Sequence, residues 1–281
     1  MGTGLPEYLT QQEVDEEFGH LVGACYEPSG RPPHVPTVRL TGAAAPRYPG
    51  AFWLPTGQNL GYNSGPKSFA WHTAITDADS IRGWVQTSDA CQGWVGRRGS
   101  AEQYKGFDEA CYGTLDGNYT GVVTIESWDG LPVATATETD VNRDPWPVPM
   151  CERIADWIAW ARPSLGIPIQ RLHRTDSRGH GPHRTGISHP TTTLSNGNVY
   201  EGSGRWSSST SKPCCGDKRL VQLYGPNMDG GPGSILSRAQ AIDDAVSAGR
   251  CGWLPTGDVD LPAALARTGG EPVDWFTDCF A

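Results

Sequence analysis

The residues best able to do chemistry crowd into the second half of the chain. The run SSSTSKPCCGDKRLVQLYG, residues 207–225, sets Lys212 and the adjacent Cys214 and Cys215 among small polar residues. The run HRTDSRGHGPHRTGISHP, residues 173–190, carries His173, His180, His183 and His189. Upstream, His72 lies inside FAWHTAIT and Glu126 near the end of TGVVTIESW. A catalytic zinc ion takes three protein ligands from His, Cys and Asp/Glu and keeps a fourth position open for water, and strands and loops can bring such ligands together from distant segments. A lone histidine in a strand is ordinarily a packed residue. What raises His72 is its company: a Cys/His-rich second half, a strand ending in a glutamate, and a lysine near a cysteine. Taken singly, Glu126 reads as a strand-end carboxylate and Lys212 as an exposed lysine.

The cysteines narrow the chemistry. There are eight: Cys25, Cys91, Cys111, Cys151, Cys214, Cys215, Cys251 and Cys279. No CxxC pair occurs, which argues against a zinc ribbon, and in a long chain expected to fold in a reducing cytoplasm, burial or metal binding is the better default than a disulfide framework. A disulfide between the adjacent Cys214 and Cys215 would be strained, and such bonds are rare.

These residues need elements to position them. With 281 residues the chain can bury a full core, and 36 glycines and 23 prolines describe a protein rich in turns. Gln11 to Leu21 reads as a short polar helix, and the Pro/Gly-rich stretch that follows makes residues 1–45 an arm or linker. From 46 to 225 the signals alternate as in an α/β domain. SFAWHTAIT (68–76) and TGVVTIESW (120–128) are the strong strands. PWPVPMCERIADWIAWARPSLGIP carries Met150, Ile154, Ile158 and Ala161 at helical spacing, with prolines at its start and Gly166 after its end. IPIQRL after it reads as a further strand. Residues 226–281 open with a flexible linker, GPNMDGGPGS, and hold one modest helix, ILSRAQAIDDAVSAGR, which makes a small C-terminal region. WLPTG occurs at 53–57 and again at 253–257 with unlike flanks, a shared turn at most.

The net charge of −9, without a basic block, argues against nucleic acid as a partner. The longest apolar runs fall far short of the roughly 20 residues needed to cross a bilayer. The acidic N-terminus has neither the basic nor the apolar region of a secretory signal.

At this point the chain resembles the zinc-dependent N-acetylmuramoyl-L-alanine amidases, a family that includes many phage endolysins and the peptidoglycan-recognition proteins. The resemblance runs in order from about 50 to 225. FAWHTAIT matches the histidine that closes an early strand, TGVVTIESWDG a strand glutamate, and ADWIAWARPSLGIP the helix and turn that follow. TGISHP matches the second histidine, and SKPCCGDKRL the closing K.CPG pattern with Cys215 in place of proline. The likeness is strongest to endolysins of actinobacterial phages. It implies an α/β fold with a central mixed sheet flanked by helices and a metal groove at one sheet edge. It also implies Zn2+ held by His72, His189 and Cys214, with His183 the competitor for the second place and Cys215 for the third.

The roles then follow the family's chemistry. Glu126 moves the proton from the attacking water to the leaving amine. Lys212, two residues before Cys214 on an extended segment, points to the same side and stabilises the oxyanion. The implied activity is hydrolysis of the amide between N-acetylmuramic acid and L-alanine of the stem peptide in bacterial peptidoglycan. The implied setting is phage or prophage lysis, by a monomer made in the host cytoplasm and let through the membrane by a separate protein. The alternative is a recognition module that binds wall fragments without cutting them. The C-terminal region is a candidate for wall binding, and Trp71, Trp94 and Trp128 are candidates for a carbohydrate groove.

Overall fold

The structure, a computed structural model, describes residues 46–56, 60–130, 145–187 and 214–268, with short pieces at 192–193, 199–200, 202, 204 and 206–207. Its strands are β1 (Phe52–Trp53), β2 (Ser68–Trp71), β3 (Gly93–Val95), β4 (Ala101–Gln103), β5 (Val122–Ser127), β6 (Gly179–Pro182), β7 (Thr192–Thr193) and β8 (Val199–Tyr200). Its helices are α1 (Arg82–Ser88), α2 (Val148–Leu165), α3 (Asp217–Tyr224), α4 (Ile235–Ser247) and α5 (Leu261–Ala266). Strands β1 to β6 form one mixed sheet in the order β1-β4-β3-β5-β2-β6, in which the β3–β4 pair is antiparallel and the others are parallel. Strands β7 and β8 pair with each other. The fold is α/β, a central mixed sheet with helices packed on it.

The two strong strand signals of the sequence become β2 and β5, neighbours in the middle of the sheet. Both are buried along their whole length, which is why they read as continuous apolar runs rather than alternating ones. Side chains still alternate across the sheet. Phe69, Trp71, Val123 and Ile125 join the main core with α2, while Ala70 and Val122 meet Leu172 and Trp206 in a small second cluster. IPIQRL forms no strand: its backbone pairs with the sheet as a single bridge from Arg171 to His180. The strand at this edge is GHGP, β6, which lacks the β-branched and aromatic residues that mark strands in sequence.

Helix α2 runs across the face made by Phe69, Trp71, Val123 and Ile125. It starts behind Pro147 and ends where Gly166 takes a left-handed conformation (φ 67°) and its N–H reaches back to the Ala161 and Arg162 carbonyls, a glycine cap of the expected kind. Every residue from Met150 to Ala161 is buried. An amphipathic surface helix would show one exposed polar stripe; α2 shows none between Met150 and Ala161 because α4 covers it from the other side, with Ile235, Leu236, Ala239 and Ile242 in the same core. Gly93 in β3 lets the helix come close, since a Cβ there would stand 2.7 Å from the Trp157 ring.

Three charged residues of α2 lie in this interior, and each is partnered, as buried charge requires. Glu152 receives Arg238 of α4 at 2.9 Å. Arg153 donates to the carbonyls of Gly99 (2.6 Å), Pro255 (2.8 Å) and Gly257 (3.0 Å). Asp156 accepts from the Tyr48 hydroxyl, the Leu254 amide and Arg267. The second WLPTG is therefore wrapped around α2, and residues 235–267 share contacts with the body of the sheet domain. The helix read at Gln11–Leu21 and the arm 1–45 lie outside the described residues.

Arg153→Met would take the donor from the carbonyl of the buried Gly99 and from those of the more exposed Pro255 and Gly257. Urea unfolding should show a loss of about 1–3 kcal/mol, the range for leaving a buried acceptor without its donor.

Candidate metal centre

The register of β2 with its two neighbours builds the site. Trp71 pairs with Ile125 of β5 on one side and with Pro182 of β6 on the other. One residue further along all three parallel strands, His72 therefore stands beside Glu126 on one flank and His183 on the other. Adjacent strands lie about 4.8 Å apart, so the three side chains are neighbours by construction. They sit at the carboxyl ends of the strands, where open α/β sheets place their ligands.

His183 opens the 3-10 turn His183–Gly186 directly after β6. Its ring stacks on that of His72 with centroids 4.0 Å apart and planes 19° from parallel. Its Nε2 lies 2.9 Å from the Trp206 carbonyl. A carbonyl can only accept, so Nε2 carries a hydrogen and Nδ1 is the nitrogen left to serve as a metal ligand. That Nδ1 is buried and makes no hydrogen bond among the described residues. A backbone carbonyl orienting the far nitrogen of an imidazole is the usual outer-shell arrangement of a metal-bound histidine.

Cys214 comes from outside the sheet. It lies just before α3, and the Thr73 amide, next to His72, donates to its Sγ at 3.3 Å. Cys214, Cys215 and the other described cysteines (Cys91, Cys111, Cys151 and Cys251) are free thiols, so no vicinal disulfide forms. Burial, with the neighbouring Cys214 adding to it, pushes the Cys215 thiol up to about 12. Cys215 thus lies buried with a poor thiolate, and Cys214 is the member of the pair that faces the histidines. One ligand atom each of His72, His183 and Cys214 falls within 4.8 Å of the others, and all three residues are buried. Two imidazoles and one thiolate fit a tetrahedral zinc ion with one place left open.

Glu126 is buried on β5 with Oε1 3.5 Å from Nδ1 of His72. From there its carboxylate lies against the His72 ring. His180 belongs elsewhere. It stacks on Phe69 at 5.2 Å, on the α2 face of the sheet, and burial lowers its pKa to about 3, so the ring is neutral. His173 is exposed. His189 and Lys212 lie outside the described residues, as do His20 and His34. The place beside His72 that the resemblance gives to His189 is taken, among the described residues, by His183. The sequence offered His183 as one histidine of a Gly-rich loop; the fold makes GHGP a buried strand that leads into it. Trp71 and Trp94 are wholly buried in two different clusters and cannot stack on a sugar. Trp128 is half-buried, with the Arg97 guanidinium 5.2 Å from its ring centre.

No protein-family model matches this chain, and no curated protein matches it. Among solved structures it is similar to the hydrolase AmiA of Staphylococcus aureus in complex with its ligand, with 14% identity, a TM-score of 0.34, and coverage of 50% of this chain and 66% of that one. The chain thus spans just under two thirds of that protein's length. A likeness of this strength says nothing of chemistry, which rests on the geometry above.

The purified chain should hold one zinc ion after exhaustive dialysis, measured by elemental analysis. His72→Ala, His183→Ala and Cys214→Ser should each lose it, whereas Cys215→Ser, His173→Ala and His189→Ala should keep it.

Proposed function

We propose that this chain is a zinc-dependent peptidoglycan hydrolase of the N-acetylmuramoyl-L-alanine amidase type, acting as a phage or prophage endolysin. The observation that carries the reading is the in-register row of His183, His72 and Glu126 closed by Cys214. It joins three metal-ligating side chains of the right kinds to a buried carboxylate, with His183 in the place that the resemblance gives to His189. His72, His183 and Cys214 hold the metal. Bound there, a zinc ion supplies Lewis-acid polarisation of the scissile amide and brings the pKa of a water toward about 7.

The remaining work falls to side chains. Glu126 accepts the proton of the attacking water and delivers it to the nitrogen of the leaving amine. Its burial beside the His72 ring keeps the carboxylate fixed and aimed during both transfers. Lys212, two residues before Cys214, donates to the oxygen that becomes negative as the amide carbon turns tetrahedral. The bond cut is the amide between the lactyl group of N-acetylmuramic acid and L-alanine, and the products are a free stem peptide and the glycan strand. No helix among the described residues is long and apolar enough to cross a membrane, and the route to the wall in this reading is one made by another protein. Net charge −9 gives no general attraction to anionic wall polymers, so wall recognition would work through specific contacts.

The test is release of stem peptide from purified peptidoglycan, followed as new L-alanine amino termini. Glu126→Gln should keep its zinc and lose about 10²- to 10⁴-fold in turnover. Lys212→Ala should lose about 10²- to 10³-fold. A zinc-loaded wild type that binds wall fragments but releases no peptide would make the chain a recognition module and end the hydrolase reading.

A further inference from the structure

The residue after each histidine of the centre holds the cysteine segment. Thr73, after His72, donates its amide to Cys214 Sγ and its hydroxyl to the Cys215 carbonyl at 3.3 Å. Arg184, after His183, donates its amide to the Cys214 carbonyl at 3.0 Å. Helix α3, which the cysteine segment feeds, reaches back to the same two residues. Arg219 donates to the Thr73 hydroxyl at 2.9 Å, and Asp217 receives Arg184 at 2.7 Å. Thr73, Arg184 and Arg219 are buried, and Asp217 is 29% exposed.

We propose that Thr73 and Arg184, gripped by Arg219 and Asp217, are positioning residues that set the separation of the three metal ligands before the metal arrives. This rests on the reading of His72, His183 and Cys214 as a metal centre, and goes beyond it in naming what holds that centre. The sheet fixes the two histidines against each other by strand register, but it does not fix a cysteine that arrives on a separate segment. Left alone, that segment would lose conformational freedom on binding, and affinity would fall by that amount. Each clamp instead joins the cysteine segment to one histidine strand, so the thiol is placed from two sides. Buried guanidinium groups are costly unless well paired. Arg219 donates to Thr73, next to His72, and Arg184, itself next to His183, pairs with Asp217 at the start of α3, so both guanidinium groups lie in the surroundings of the centre.

Thr73→Val removes the hydroxyl and keeps the shape and the amide. Asp217→Asn weakens the second clamp at a partly exposed position where folding is tolerant. Zinc affinity is read by competition with a chromophoric chelator, and ligand geometry by the thiolate-to-cobalt charge-transfer band after cobalt substitution. Both variants should bind zinc about 10- to 100-fold more weakly, the usual loss when an outer-shell partner is removed, and should shift the cobalt band. Thr73→Ser should restore both readouts. Asp243→Asn, which disturbs an ion pair between α2 and α4, should change neither. Wild-type affinity and an unshifted cobalt band in both Thr73→Val and Asp217→Asn would overturn the proposal while leaving the metal centre intact. A wild type that takes up neither zinc nor cobalt would overturn the centre and the positioning role together.

Discussion

The parallel pairing of β2 with β5 on one side and β6 on the other is the constraint on which the site depends. Because side chains alternate along a strand with a period of two, a slip of one residue in either pairing would turn Glu126 or His183 to the opposite face of the sheet. Nothing local in His72, Glu126 or His183 makes them neighbours; the register of Trp71 with Ile125 and Pro182 does. That register is held by the burial of both faces. Phe69, Trp71, Val123 and Ile125 are pinned against α2, and Ala70 and Val122 against Leu172 and Trp206. Trp206 serves twice, since its ring closes the small cluster while its carbonyl orients His183.

The polar interior divides into two systems with different tasks. On the α2 side, Glu152, Arg153 and Asp156 draw in α4, the second WLPTG and the 48–51 turn, and their hydrogen bonds end mostly on backbone carbonyls and amides. On the other side, Thr73, Arg184, Asp217 and Arg219 surround the Cys214 segment. The first system holds the layers of the fold together. The second is concentrated on the residues that flank the metal ligands, which is where a centre that must be rigid before binding would need it.

The sequence exposes the parts of the fold that are long, apolar and periodic. Strands at 68–76 and 120–128 and the helix at Val148–Leu165 were legible because each buries enough surface for pattern to survive, and both strands prove shorter than their apolar runs. The strands β1, β3 and β4 are two or three residues long and leave no pattern to read. β6 is the instructive case. GHGP has two glycines and a proline, so composition marks it as loop, yet it supplies the edge of the sheet that delivers His183. Without that strand there is no register, and without register the choice between His183 and His189 had to rest on likeness to TGISHP. The preference for Cys214 over Cys215 rested on the likeness of SKPCCG to K.CPG, in which the cysteine stands two residues after the lysine. The contacts of Thr73 and Arg184 were not, because they arise from three segments more than a hundred residues apart at their widest.

The account stands on a metal held by two imidazoles and one thiolate. X-ray absorption at the zinc edge of the purified, unmodified chain tests this most directly, since it reads ligand type and distance without reference to activity. The account predicts one sulfur at about 2.3 Å and two nitrogens at about 2.0–2.1 Å, with one further light atom completing a four-coordinate shell. A shell without sulfur, a six-coordinate oxygen shell, or a protein that carries no zinc would contradict it.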